Sequence, residues 1–219
     1  MPSRSVPFKI LIVDDHPMVR EGLTFRILNH PDLEVCGEAA SKDEAMELVK
    51  QTKPDLMIID ITLKDGHGLE LAKQVKSRYP SVKMLVVSGF QESLYGERAL
   101  RAGAMGYLNK QESNEKVIEA IRIVLKGERF VGPELTRRLV ARALDGRDQA
   151  KDSIELLTDR ELEIFRMIGE GQGSSAIASQ LVLSSHTVDT HRENIKRKLG
   201  ISNAAELSRA AVQWLLENG

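Results

Sequence analysis

Residues 10–17 read Ile-Leu-Ile-Val-Asp-Asp-His-Pro, ILIVDDHP in one-letter code. The unbroken apolar run suits a strand buried on both faces, yet it runs straight into Asp14 and Asp15. Adjacent carboxylates repel and disfavour joint ionisation unless a cation or phosphate chemistry nearby uses them. The question is therefore what lies opposite.

Outward from this stretch, short apolar runs alternate with longer segments of helical period from Phe8 to about Lys126. Strands are expected over 9–13, 33–39, 56–59, 82–87 and 105–108, and helices over 18–28, 42–51, 68–78, 93–102 and 114–126. Five rounds of strand then helix, with strands lacking polar alternation, predict an α/β fold. Its core is a doubly wound five-stranded parallel sheet with helices on both faces. Ligands of such sheets sit beyond the carboxyl ends of the strands, where the strand order reverses.

The 219 residues, 42% hydrophobic and 29% charged, suffice for two domains. A net charge of −1 exerts no bulk pull on nucleic acid, so any such binding must rest on local charge. The single cysteine, Cys36, excludes an intrachain disulfide and an all-cysteine metal site, and reads as a small buried hydrophobe. MPSRSVP is too short and polar for a signal peptide, and no apolar run nears the roughly 20 residues that span a bilayer. A cytoplasmic protein with no membrane partner is expected.

After Gly127 the texture changes. Pro133 is placed to open a helix through Leu135, Leu139, Val140 and Ala143, and the polar DGRDQAKDS follows as a linker. The expected division is a first domain over 1–126, a linker with a short helix over 127–152, and a small all-α domain over 153–219. In that domain Thr158 and Glu161 form a capping box ahead of DRELEIFRMI, Ser174 and Ser184 cap the next two helices, and Asn203 caps the fourth.

The strand ends of the first domain carry the chemistry. The first ends in Asp14 and Asp15, the third in Asp60 and the fourth in Ser88, while the fifth runs into Asn109 and Lys110. In a parallel sheet these project from one edge, so three carboxylates, a hydroxyl and an ammonium converge. Strand-end aspartates often only cap helices, but capping does not account for the joint set. Three carboxylates suit a hard ion such as Mg²⁺, beside which Asp60 can attack phosphorus while Lys110 and Ser88 hold the phosphoryl oxygens.

On these residues the stretch from Phe8 to Lys126 resembles the flavodoxin-like receiver domain of bacterial two-component response regulators. The resemblance implies that Asp60 accepts a phosphoryl group from a sensor histidine kinase. It also implies that Asp15 and Asp60 bind Mg²⁺ directly, that Asp14 acts largely through water, and that the backbone carbonyl of Thr62 completes the site. Ser88 and Tyr107 match the residues that shift once the acyl phosphate forms, and Lys110 matches the family's lysine. Two departures are visible: Lys64 replaces the usual proline, and Ser88 stands where threonine is commoner.

The stretch from Ser174 through the turn VLS to Leu199 has the spacing of a helix-turn-helix, whose second helix enters the major groove. With Glu161, Gly171, Thr187, Val188, His191, Ile195 and Gly200 in register, it resembles the LuxR-type domain of the NarL/FixJ class. Val188, Ile195 and Leu199 share a core stripe. The expected DNA contacts are Ser185, Thr187, Asp189, Thr190, Arg192, Glu193, Lys196, Arg197 and Lys198. Thr190 and Arg192 lead as base readers, and the basic residues are placed to neutralise phosphates. Asp189 and Glu193 depart from the family's frequent lysines, as SSA over 174–176 departs from NKE. A carboxylate accepts from cytosine N4 but repels phosphate, so the two read as negative selectors. Asp159, Glu161 and Glu163 on the preceding helix should face away from the duplex. On the last helix Ala204, Leu207, Ala211 and Leu215 share one side; packing within their own domain would take most of them, and the resemblance implies a dimer contact there.

The resulting expectation is a transcription regulator whose dimerisation and binding to double-stranded DNA are controlled by phosphorylation, with RNA polymerase as a further partner. It is not an enzyme beyond catalysing its own phosphorylation and dephosphorylation. Rival readings are an aspartyl-phosphate hydrolase, which would need a substrate cavity and a separate acid, and an adaptor whose acidic recognition helix binds protein.

Overall fold

The computed structural model describes residues 6–145 and 153–218. The chain divides into two compact units, Met1–Arg137 and Arg138–Gly219. The first contains strands β1 (Phe8–Val13), β2 (Leu33–Ala39), β3 (Leu56–Ile59), β4 (Thr62–Leu63), β5 (Gly66–His67), β6 (Lys83–Ser88) and β7 (Gly106–Asn109). Between them run helices α1 (Pro17–Leu28), α2 (Lys42–Thr52), α3 (Gly68–Arg78), α4 (Glu92–Ala102) and α5 (Asn114–Leu125).

Five strands pair in parallel in the order β2-β1-β3-β6-β7. Ile10, Leu11, Ile12 and Val13 are fully buried, as apolar strands covered on both faces must be. One cover is α1 and α5, which bring Leu23, Ile27, Val117 and Ile121 to the sheet. The other is α2, α3 and α4, which pack on one another and bury Val49, Ala72, Val75 and Ala99.

The strand order reverses at β1, with β2 on one side and β3 on the other. Val13 lies in register with Ile59. The Asp60 amide donates to the Val13 carbonyl at 2.8 Å, and the Asp14 amide to the Ala39 carbonyl at 3.1 Å. The first carboxylates past β1 and β3 thus leave the sheet as neighbours at the reversal.

The short hairpin β4–β5 was not expected, because two-residue strands carry no readable period. Its turn residue Asp65 accepts hydrogen bonds from the amides of Lys42 at 2.7 Å and Asp43 at 3.2 Å, tying the loop after Asp60 to the first turn of α2. The loop closes where Gly68 donates to the Ile61 carbonyl at 2.6 Å.

The first unit continues past residue 126. Phe130 bridges to Gly106, the Gly132 amide donates to Glu92 Oε1 at 2.7 Å, and Leu135 is buried. Helix α6 (Pro133–Asp145) opens at Pro133, as its fixed φ favours. Residues 146–152 of the expected linker lie outside the described residues.

The second unit holds a 3₁₀ turn (Ser153–Leu156) and helices α7 (Asp159–Gly169), α8 (Ser174–Gln180), α9 (Ser185–Leu199) and α10 (Ala204–Asn218). Leu162, Phe165, Ile177, Val188, Ile195, Leu207 and Ala211 form its interior. The Thr158–Glu161 capping box opens α7, and Ser184 caps α9. Asn203 Oδ1 accepts from the Glu206 amide at 2.9 Å ahead of α10. One cap differs from expectation: Gly173 holds the N-cap position of α8 and Ser174 is its first helical residue, which leaves the Ser174 hydroxyl free for another partner.

A Cβ on Gly68 would overlap the carbonyl oxygen of Asp60, so α3 sits against the loop only because this residue has no side chain. Gly68→Ala is expected to destabilise the first unit by about 1–3 kcal/mol, the cost of overpacking against rigid backbone. Urea unfolding monitored by circular dichroism measures this.

Candidate functional site

At the reversal of strand order the sheet edge places Asp14, Asp15, Asp60 and Lys110 around one point. Asp14 and Asp60 are buried, 2% and 4% exposed. Lys110 follows β7 and is placed by its own amide, which donates to the Ser88 carbonyl at 2.8 Å. Its ammonium lies 2.6 Å from Asp14 Oδ2 and 2.7 Å from Asp60 Oδ2. Of the two adjacent aspartates in the opening stretch, Asp14 thus has an ammonium opposite it, while Asp15 lies against His16. Asp60 Oδ1 accepts from the Ile61 amide at 2.7 Å, and Asp14 Oδ1 from the His16 amide at 2.9 Å.

Burial pushes the Asp60 carboxyl up to about 6; Lys110 opposes this shift and Asp14 adds to it. Burial also works against the charge of Lys110, but the attraction of Asp60 and Asp14 outweighs it and raises its pKa. Ligand atoms of Asp14, Asp15, His16 and Asp60 all lie within 4.8 Å of one another, close enough to share one metal ion. Carboxylate oxygens are the donors a hard divalent cation takes, so the residues fit such an ion, and the softer imidazole is its least suited member.

His16 was missed in the sequence, although it stands in the opening stretch. Its Nδ1 lies 2.6 Å from Asp15 Oδ1, and it holds the N-cap position of α1 just before Pro17. Thr62 lies two residues beyond Asp60 at the start of β4, and Lys64 is exposed on the hairpin turn. Ser88 ends β6 fully buried. Tyr107 is also buried, which pushes its phenol far up, and its hydroxyl donates to the Phe90 carbonyl at 2.8 Å.

In the second unit, α8 and α9 form two helices joined by a tight turn, in which Val182 takes a left-handed backbone with φ 53°. Val188 and Ile195 turn α9 into the core, while Ser185, Asp189, Thr190, Glu193 and Arg197 are exposed and Thr187, Arg192, Lys196 and Lys198 half-buried. Several expected contacts already have partners. The Thr190 hydroxyl donates to the His186 carbonyl at 3.0 Å, and the Lys196 ammonium lies 2.9 Å from Glu193. The Arg197 guanidinium donates to Asn194 at 2.9 Å, and the Lys198 ammonium lies 2.5 Å from Glu161.

Glu161 and Glu163 do not form an outward acidic face: both are buried, with Glu161 against Lys198 and Glu163 accepting from Arg160 at 2.7 Å. Leu207 and Ala211 are likewise enclosed in the unit's own core; Leu215 is half-buried and Ala204 exposed.

Comparison with known proteins follows this division. Residues 10–122 match the response regulator receiver domain, and residues 155–211 match the LuxR family of bacterial regulatory proteins. The response regulator GacA of Pseudomonas syringae is 34% identical over 206 residues, 94% of this chain and 95% of that one. The oxygen regulatory protein NreC of Staphylococcus aureus is 35% identical over 210 residues, 94% of this chain and 97% of that one. A LuxR-family two-component response regulator from Aurantimonas superposes with TM-score 0.58 at 31% identity, covering 64% of this chain and 99% of its own. RcsB of Salmonella enterica, solved bound to a promoter with the phosphomimetic BeF₃⁻, shares the fold with TM-score 0.64 at 23% identity, covering 97% of this chain and 100% of its own.

Two ion-pair predictions follow from the geometry. Lys110→Met leaves Asp14 and Asp60 buried side by side, raising the Asp60 pKa above its value of about 6. A raised carboxyl pKa penalises the folded state where the group is ionised. The variant is therefore expected to lose about 3 kcal/mol at pH 8 and to recover part of this at pH 5, read by urea unfolding at the two values. Glu161 has the opposite sign: burial favours its neutral form, but the Lys198 bond and the Thr158 amide outweigh it and hold the carboxyl below its ordinary 4.5. Its contribution is present above that value and lost as pH falls through the lowered one. Lys198→Met is expected to cost about 2–3 kcal/mol at pH 7 and less at pH 4, seen in thermal melts.

Proposed function

The chain belongs to the bacterial response regulators that join a receiver domain to a LuxR-family regulatory domain, and from that premise we propose a transcription factor switched by phosphorylation of Asp60. The observation that carries this reading is the convergence of Asp14, Asp15, Asp60 and Lys110 at the reversal of strand order, in a chain whose second unit presents a helix-turn-helix.

The donor is a phosphohistidine on a sensor histidine kinase. A carboxylate oxygen of Asp60 attacks phosphorus, the phosphorus–nitrogen bond breaks with its electron pair returning to the imidazole, and an acyl phosphate remains on Asp60. Lys110, already within hydrogen-bond distance of Asp60 Oδ2, holds one phosphoryl oxygen, and the Ser88 hydroxyl donates to another. Asp15, Asp60 and the Thr62 carbonyl would hold Mg²⁺, with Asp14 acting through water; the bound ion supplies charge neutralisation for carboxylates and phosphoryl oxygens. The protein turns over no separate substrate, and its chemistry is limited to gaining and losing this group.

Phosphorylation draws Lys110 and Ser88 toward the new oxygens. Ser88 shares its buried end of the sheet with Tyr107, so the phenol and the Phe90 loop it holds shift with it. Moving a population from 1:99 to 99:1 takes about 5.5 kcal/mol of differential stability between the two states. The favoured state is a homodimer that brings two α9 helices to the half-sites of a two-fold DNA target in the cytoplasm and engages RNA polymerase. Since Leu207 and Ala211 are enclosed, the dimer contact on α10 uses Ala204 together with its exposed Val212 and Leu216.

The test is Asp60→Asn, treated with acetyl phosphate and Mg²⁺ and weighed by intact mass spectrometry. The unsubstituted protein gains one phosphoryl group and binds duplex DNA more tightly, whereas the variant gains none and its DNA affinity stays fixed. A variant that is still phosphorylated overturns the assignment.

A further inference from the structure

The recognition helix carries two carboxylates where phosphate-seeking cations would be the simpler choice, and the structure shows both held in place. Asp189 Oδ1 accepts a hydrogen bond from Ser174 Oγ at 2.7 Å, a contact that reaches across the turn from the first residue of α8 to the exposed side of α9. Asp189 Oδ2 makes no hydrogen bond among the described residues. Glu193 is four residues on, so it lies beside Asp189 along the helix; its side chain is 71% exposed and its carboxylate lies 2.9 Å from the Lys196 ammonium. That cation offsets the repulsion the carboxylate would exert on a nearby phosphate.

We propose that Asp189 and Glu193 are specificity-determining residues that read cytosine in the major groove, with Ser174 as the positioning residue for Asp189. This rests on the DNA-binding reading given above. A carboxylate only accepts hydrogen bonds. In the major groove the base donors are the 4-amino group of cytosine and the 6-amino group of adenine, while guanine and thymine offer acceptors that repel a carboxylate. Adenine sets its N7 acceptor beside the amino group, whereas cytosine sets a C–H there, so a carboxylate discriminates in favour of cytosine. The neighbouring Thr190 donates its hydroxyl proton to the His186 carbonyl, whereas Asp189, on the exposed face of the N-terminal half of α9, keeps Oδ2 open to a base amino group, and Glu193 lies one turn further along the same face. That half is the part of a recognition helix that meets base edges.

Full-length protein treated with acetyl phosphate and Mg²⁺ is used to select from a random duplex pool, and affinities are then measured on defined duplexes at two salt concentrations. The enriched half-site is expected to hold two cytosines within about two base pairs of each other, since residues four apart lie about 6 Å apart along a helix. Replacing either cytosine weakens binding roughly ten- to hundredfold. D189N shifts the preference at one of these positions to adenine, whose N6 and N7 an amide matches, and E193Q does so at the other. S174A flattens the preference at the Asp189 position alone and leaves the salt dependence unchanged. If D189N and E193Q instead tighten binding to every duplex with the base preference unaltered, the acids only repel phosphate and the proposal falls. If the phosphorylated protein binds no duplex in a salt-dependent way, the DNA-binding reading falls and takes this one with it.

Discussion

Two buried carboxylates stand side by side in this fold because one ammonium faces both. Apolar strands covered on both faces leave no place for charge except their ends, and the reversal of strand order brings the ends of β1 and β3 together. Without Lys110 the result would be a desolvated like-charge pair; with it, Asp14 and Asp60 share one counter-charge within a cluster whose oxygen donors fit a divalent cation. Lys110 is fixed in turn by β7 and by the Ser88 carbonyl, so the sheet that creates the electrostatic problem also supplies its solution.

How much of this was legible in the sequence depended on whether a residue's role was local or set by tertiary packing. The five sheet strands and their helices were legible because burial on two faces writes itself as unbroken apolar runs, and Asp14, Asp15, Asp60, Ser88 and Lys110 because each ends or directly follows such a run. The β4–β5 hairpin was not, since two residues cannot display a period, nor was the attachment of Phe130 and Leu135, which depends on a groove that exists only once α4 and β7 have packed. His16 stands in the same stretch as Asp14 and Asp15, but nothing in the linear pattern shows that its ring turns back onto Asp15.

In the second unit the helices and the capping box were legible, while the fate of individual charges was not. Lys198 belongs by spacing to a basic run, but folding brings it onto Glu161, whose carboxylate also accepts from the Thr158 amide. One acid therefore caps α7 and anchors the end of α9, a double role that no linear pattern displays. The stripe on the terminal helix left two covers open, its own domain or a second copy, and the fold assigns Leu207 and Ala211 to the unit's own interior.

The Ser174–Asp189 hydrogen bond has a consequence for how such a protein diverges. The two residues are fifteen positions apart and sit on different helices of the same motif, yet they share one bond, so their substitutions are not independent. A lineage that replaces either one alone forfeits the bond and leaves the other side chain without its partner, whereas a second change at the matching position costs little more. The energetic effects of substitutions at the two positions are therefore expected not to add.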